Sequence, residues 1–225
     1  MLNTLKPVYK YYAVSLLVVF LDQITKIAVK LNMNVGDEIP IVGNFFKIHF
    51  IENPGAAFGV TIDKFFDGLS PEFAKLILSL FSLLAVGGIV YFLHQVVHRK
   101  NNLPLWISLI LGGAIGNIID RVFYGIWFAE INEYEGGFLY GRVVDMFYID
   151  IWQGTLPESI PLVGGTYLFL WPIFNIADAA ISVGIVFILI FQKQYFQNLE
   201  LLQQEKSASL DSSKSLKIPQ ENPNS

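Results

Sequence analysis

The chain has 225 residues, of which 53% are apolar and only 15% charged, and its mean hydropathy is +0.50. Soluble domains carry about a quarter charged residues, so this is a membrane composition. A net charge of -4 leaves no basic footprint for nucleic acid, and the absence of cysteine excludes disulfides, thiol nucleophiles and thiolate metal sites.

In chain order, two lysines, Lys6 and Lys10, precede an apolar run from Tyr11 to about Ile27. No small-x-small cleavage site follows promptly, so the run reads as a retained span or signal anchor rather than a removed signal. Asp22 and Lys26 lie four residues apart and can pair on one helix face. Such a pair could simply ease the exit from the membrane.

From Asn32 to Glu72 the pattern is mixed, with Gly36, Pro40, Gly43 and Pro54 as punctuation. Phe45 to Ile51 alternates imperfectly and predicts short strands. The motif ENPGAAFG, Glu52 to Gly59, starts from an extended Asn53 before proline. Its small residues Gly55, Ala56 and Ala57 leave room for another backbone, so a substrate strand could add there; an ordinary turn fits the spacing equally. Ile62 to Phe73 mixes aromatics with charges and suits the membrane interface.

A second span is expected over Phe73 to Leu93, with Gly87 and Gly88 allowing close helix packing. His94 and His98 have a metal-compatible spacing, but no third ligand is near in sequence. The third span, Leu103 to about Arg121, ends in GGAIGNIIDR. Gly112 and Gly116 form a GxxxG pair for tight helix contact. Gly116 and Asn117 would face a neighbouring helix, and Asp120 and Arg121 would cap the span at the water boundary. Asn117 and Asp120 share a face that Arg121 does not.

Phe123 to Trp171 is long for a loop. The Gly-Gly at Gly136 and Gly137, between aromatic alternating runs, suggests a hairpin, and the aromatics suit the membrane surface. Pro172 suits the start of a fourth span, about Trp171 to Phe191. That span contains Asn175 and Asp178, three residues apart on one helix face, and a carboxylate in hydrocarbon demands a reason. Polar residues from Ser207 to Ser225 read as a disordered tail, leaving 1–206 as the membrane domain.

Basic residues mark the cytoplasmic side of a membrane protein. The N-terminus and the His94–Asn102 loop each hold two basic and no acidic residues. The segment from Asn32 to Glu72 holds two basic and six acidic, and that from Val122 to Trp171 one and six. Four spans with both termini inside follow. Asp145, in the second outer loop, and Asp178, near the outer end of span four, then share a depth. Two carboxylates that meet can share one proton, with one acting as base toward water and the other as acid toward a peptide carbonyl. A purely structural Asp178, bonding between helices, is the other reading.

The motifs DQITK (Asp22 to Lys26), ENPGAAFG, GGAIGNIIDR, VVDMF (Val143 to Phe147) and FNIADAAISVG (Phe174 to Gly184), in this order on four spans, resemble those of the lipoprotein signal peptidases, or signal peptidase II. The resemblance implies an α-helical integral membrane protein with four transmembrane helices, a small extracytoplasmic β-rich region and an interfacial segment. It implies an aspartic endopeptidase of the bacterial inner membrane that cuts before a diacylglyceryl-modified cysteine of a prolipoprotein. Asp145 and Asp178 match the catalytic positions. Asp22, Lys26, Asn53, Gly55, Asn117, Asp120, Arg121, Asn175 and Ala177 match supporting and substrate-binding positions. The family needs no metal or other cofactor, works among membrane lipids and is blocked by globomycin; a monomer is expected. Two links are longer than the family's usual ones: Arg121 to Asp145, 24 residues, and Asp145 to Asp178, 33 residues. They could form a lid or a substrate-specific surface. From other classes, a proton channel or transporter could use intramembrane aspartates too, but four spans without an internal repeat make a poor alternating-access machine. A non-enzymatic assembly factor would tolerate loss of Asp145.

Overall fold

The computed structural model describes residues 2–55, 70–99, 101–150, 153–155, 167–169 and 173–215. Two compact units divide the chain, Met1–Ile185 and Val186–Ser225. Helix α1 covers Leu2–Asn32, α2 Pro71–Val96 and α3 Leu103–Ile119; α3 runs on through a π-helical turn, Asp120–Tyr124, into the short α4, Gly125–Trp127. Helix α5 covers Ile176–Ser215. Four stretches are long and apolar enough to cross a membrane: Val8–Asn32, Pro71–Val96, Leu103–Trp127 and Ile176–Tyr195. Each has at least the roughly 20 residues a bilayer core demands. Leu80, Phe81, Leu84 and Tyr91 of α2 stay exposed, as lipid-facing side chains should.

The helix boundaries have local causes. Ser70 caps α2 by accepting the Phe73 N–H at 3.3 Å, and Pro71 follows in the first turn. In the fourth span the helix starts at Ile176, later than expected, and Pro172 lies outside the described residues. The polar sequence from Ser207, expected to be a disordered tail, continues the helix as far as Ser215.

Glycine sets the helix contacts, though not at every expected place. A Cβ on Gly112 would lie 2.8 Å from the Ser15 carbonyl of α1, and one on Gly116 2.5 Å from the Asp22 carboxylate. A Cβ on Gly113 would meet the Ala177 carbonyl of α5 at 2.3 Å. Helix α3 is thus drawn against both α1 and α5 by its small face. Gly87 and Gly88, expected to do the same for α2, have nothing within 4 Å of such a Cβ.

Strands β1 (Glu38–Val42), β2 (Phe46–Asn53) and β3 (Val143–Ile149) form an antiparallel sheet in the order β1-β2-β3. A second sheet pairs β4 (Gln153–Thr155) with β5 (Tyr167–Phe169). The strand expected near Phe45 to Ile51 is therefore present. The hairpin expected around Gly136–Gly137 is not: β3 pairs instead with β2, far back in the chain. Gly136 serves close approach, since a Cβ there would lie 2.6 Å from the Gly125 carbonyl. A Cβ on Gly125 would lie 2.4 Å from the Gly137 carbonyl, so the loop folds back on the end of the third span. Phe50, Val144 and Met146 on one face of the sheet pack with Tyr124, and Ile27 and Val29 of α1 lie against them. The expected interfacial segment falls mostly on residues 62–69, outside the described ones.

Candidate active site

Strand β3 carries Asp145 opposite Ile51 of β2. An irregularity between Ile48 and Ile51 puts one extra residue on β2, a bulge of the kind that re-aims side chains beside active sites. Asn53, two residues past Ile51, faces the same side as Asp145. Its Nδ2 donates to Asp145 Oδ2 at 3.0 Å, and its Oδ1 accepts the Gly55 N–H at 2.9 Å. Past Gly55, the segment expected to receive a substrate strand lies outside the described residues.

Backbone bonds between Phe147 and Phe174, at 2.8 and 3.0 Å, seat the entry of α5 beside β3. The next residue, Asn175, was expected inside a helix; it is the helix cap. Its Oδ1 accepts the Asp178 N–H at 2.9 Å, while Asp178 Oδ2 accepts the Asn175 N–H at 3.3 Å. This is a reciprocal capping box with an aspartate in the glutamate position. The Asn175 Nδ2 donates to Asp145 Oδ1 at 2.7 Å. One fully buried residue therefore holds both candidate carboxylates. Asn117 of α3 completes the set, donating to Asp178 Oδ1 at 2.8 Å.

Asp22, Lys26 and Asp120 form a second cluster. Lys26 Nζ lies 2.8 Å from Asp22, 2.9 Å from Asp120 and 2.8 Å from Asn117 Oδ1, so all three of its protons have acceptors. The Asp22–Lys26 pair packs inside the protein. It is fully buried, and Asp120, expected at the water boundary, is fully buried with it. Asp22 Oδ1 also accepts the Ala177 N–H at 2.9 Å, and Asp120 Oδ2 the Val144 N–H at 3.1 Å. Ala177 thus acts through its backbone and its lack of bulk against Gly113 and Gly116. Lys26 and Asn117 join the two clusters: the ammonium fixes the Asn117 oxygen, which leaves its amide to point at Asp178.

The π-helical turn sends Asp120 and Arg121 in different directions. Arg121 donates to the Gly55 carbonyl at 3.0 Å and to Ser82 Oγ at 3.1 Å, tying the turn to the motif after β2 and to α2. Gln23 was not singled out from sequence. Its Nε2 donates to Asp120 Oδ1 at 2.9 Å, and its Oε1 accepts from the buried Tyr124 hydroxyl at 3.1 Å. Its place next to Asp22 was the only available signal. His94, which has metal-ligand spacing to His98, hydrogen-bonds the Tyr12 hydroxyl at 2.8 Å.

The electrostatics of the two clusters differ. Among the described residues no cation lies within 4 Å of Asp145 or Asp178. Asp145 is only 4% exposed. Burial pushes its carboxyl up to about 7, and the charge of Asp178 pushes the same way, against the Asn53 amide, the more distant Lys26 charge and the Asn175 amide. Such an arrangement can keep a proton near neutral pH beside a second carboxylate.

A family model described as signal peptidase (SPase) II matches residues 14–193. The chain belongs to the signal peptidase II family. A lipoprotein signal peptidase of Amoebophilus asiaticus is 36% identical over 85% of this chain and 81% of its own length. One of Porphyromonas gingivalis is 38% identical over 79% and 80%. Two solved structures, each a bacterial membrane enzyme studied by the in meso method, superpose with TM-scores of 0.57 and 0.56. They are 26% and 27% identical, over 84% and 80% of this chain and 90% of each of theirs. This signal peptidase II is an enzyme, and its four apolar helices make it a multi-pass membrane protein.

Proposed function

We propose that this signal peptidase II removes the signal peptide from diacylglyceryl-modified prolipoproteins, cutting just before the lipidated cysteine. Asp145 and Asp178 are the catalytic pair and hold one proton between them, with the more buried Asp145 as its resting place. The ionised carboxylate of Asp178 takes a proton from water as the water oxygen bonds to the scissile carbonyl carbon. Asp145 gives its proton to the carbonyl oxygen. The resulting gem-diol returns a proton to Asp145, Asp178 passes its proton to the leaving nitrogen, and the C–N bond breaks. The signal peptide leaves as a carboxylic acid, the cysteine nitrogen as an amine, and the pair again holds one proton. Asn53, Asn117 and Asn175 orient the carboxylates. Asp22, Lys26, Asp120 and Arg121 hold the elements that carry them, and Gly55 and Ala177 give close backbone approach.

The observation that carries this reading is the carboxylate pair clamped by one asparagine, with no ion-paired cation among the described residues. Charge asymmetry supports an orientation with both termini in the cytoplasm, in the bacterial inner membrane, and the pair near the outer face. Residues 1–206 then make up the peptidase domain, acting as a monomer among membrane lipids, with globomycin competing for the substrate site. The test is cleavage of a purified prolipoprotein with and without its diacylglyceryl group, the cut located by mass spectrometry. Cutting only the lipidated form, before its cysteine and blocked by globomycin, is expected. Equal cutting of the unlipidated form would overturn the substrate assignment.

A further inference from the structure

Lys26 continues along the same face of α1 to Lys30, one helical turn further. Lys30 has no part in either carboxylate cluster. It is buried and forms an ion pair with Glu52 of β2, the residue directly before Asn53. The side chains of both are at most 3% exposed. The Lys30 ammonium also lies 5.9 Å from the Phe50 ring centre and 5.4 Å from that of Phe128. Among the described residues the second Glu52 oxygen has no hydrogen-bond partner, so Lys30 alone fixes this carboxylate.

Strand alternation gives the pair its leverage. Glu52 and Phe50 face the packed side of the sheet with Val144 and Met146, while Asn53 and Asp145 face the other. Glu52 lies opposite Val144 in the register, and the Val144 N–H is held by Asp120. The same helix face therefore grips β3 through Lys26 and Asp120, and β2 through Lys30 and Glu52. The Asn53–Asp145 bond runs between the two strands so gripped.

We propose that the Lys30–Glu52 pair is a positioning device for the reaction, fixing β2 on α1 so that the Asn53 amide meets Asp145. This rests on the assignment of Asp145 to catalysis. A pair that served stability alone would cost the same factor in turnover whether or not Asn53 were present. A pair that acts through Asn53 would not.

The test is a double-mutant cycle on the full chain in detergent, with lipidated prolipoprotein as substrate and melting measured in parallel. Glu52→Gln keeps the shape and an acceptor and should lower kcat about fivefold with little change in KM. Lys30→Met should lower it more. In an Asn53→Ala background each should cost less than about twofold. Equal losses in both backgrounds, a loss in KM alone, or no loss for either single variant would overturn the proposal. If Lys30→Met fails to fold, Glu52→Gln carries the cycle. Activity of Asp145→Asn close to wild type would instead remove the catalytic reading on which the proposal stands.

Discussion

Two carboxylate pairs lie within one network and share Asn117, yet they are built differently. Asp22 and Asp120 share the Lys26 ammonium, and both accept further backbone or amide hydrogens. Asp145 and Asp178 are held by asparagines alone. A buried carboxylate with a cation at hydrogen-bond distance has its charge compensated in place and serves as a fixed anchor. One held only by neutral donors next to a like charge is free to bind and release a proton. On the proposed assignment, burial of an acid inside a membrane helix bundle does not by itself mark chemistry; what sets the proposed catalytic pair apart is that, among the described residues, it has no ion-paired cation.

The comparison can be broken by exchanging the outcomes of the two pairs. Asp145→Asn or Asp178→Asn should cut turnover at least about 100-fold while the protein still folds, the loss expected for a general acid or base. Lys26→Met should do the opposite first. It leaves two uncompensated buried carboxylates, a cost of about 3–5 kcal/mol, so folded protein should be lost in a detergent melting assay. A stable Lys26→Met variant would erase the distinction. Asn175→Ala should fall between, losing about 1 kcal/mol as a helix cap and also lowering kcat, because it releases both carboxylates.

The raised Asp145 gives a stability prediction of definite sign. Folding lifts this carboxyl to about 7 from an ordinary value near 4, so between those values the folded state binds the extra proton. Its contribution to stability is present at low pH and is lost as pH rises through about 7. Melting temperature should fall from pH 5 to pH 8 in the wild type, and less steeply in Asp145→Asn. The smallest effect concerns Leu139, whose φ of 72° is a left-handed conformation that a leucine adopts at a cost. Its N–H and carbonyl bond Val122 and Ser79, and Leu139→Gly should keep both while changing stability by no more than about 1 kcal/mol.

The parts legible in the sequence were those with a local signature. Four apolar runs, the Asp22–Lys26 spacing, and the Gly112–Gly116 pair each announce themselves within a few residues. That Asp145 and Asp178 lie near one another was also expected, from charge asymmetry, and in the structure both bond Asn175. Other features depended on partners far along the chain. Asn53 meets Asp145 across 92 residues, and nothing near Val143 says that its strand pairs with β2 rather than with a local neighbour. Gly136 looked like turn chemistry because a glycine for close approach and one for a turn read alike. Asn175 read as a helix residue because a cap differs from a first turn only through the backbone before it. Asp120 read as a surface cap because its compensating ammonium comes from α1.

The most direct test of the account is the pH dependence of single-turnover cleavage of a lipidated prolipoprotein, measured from pH 4 to 9. A pair sharing one proton predicts a bell, with the rate falling above about 7 as both carboxylates ionise and falling again in acid as both are protonated. A rate that stays level across that range, with the chemical step shown to be limiting, would contradict it.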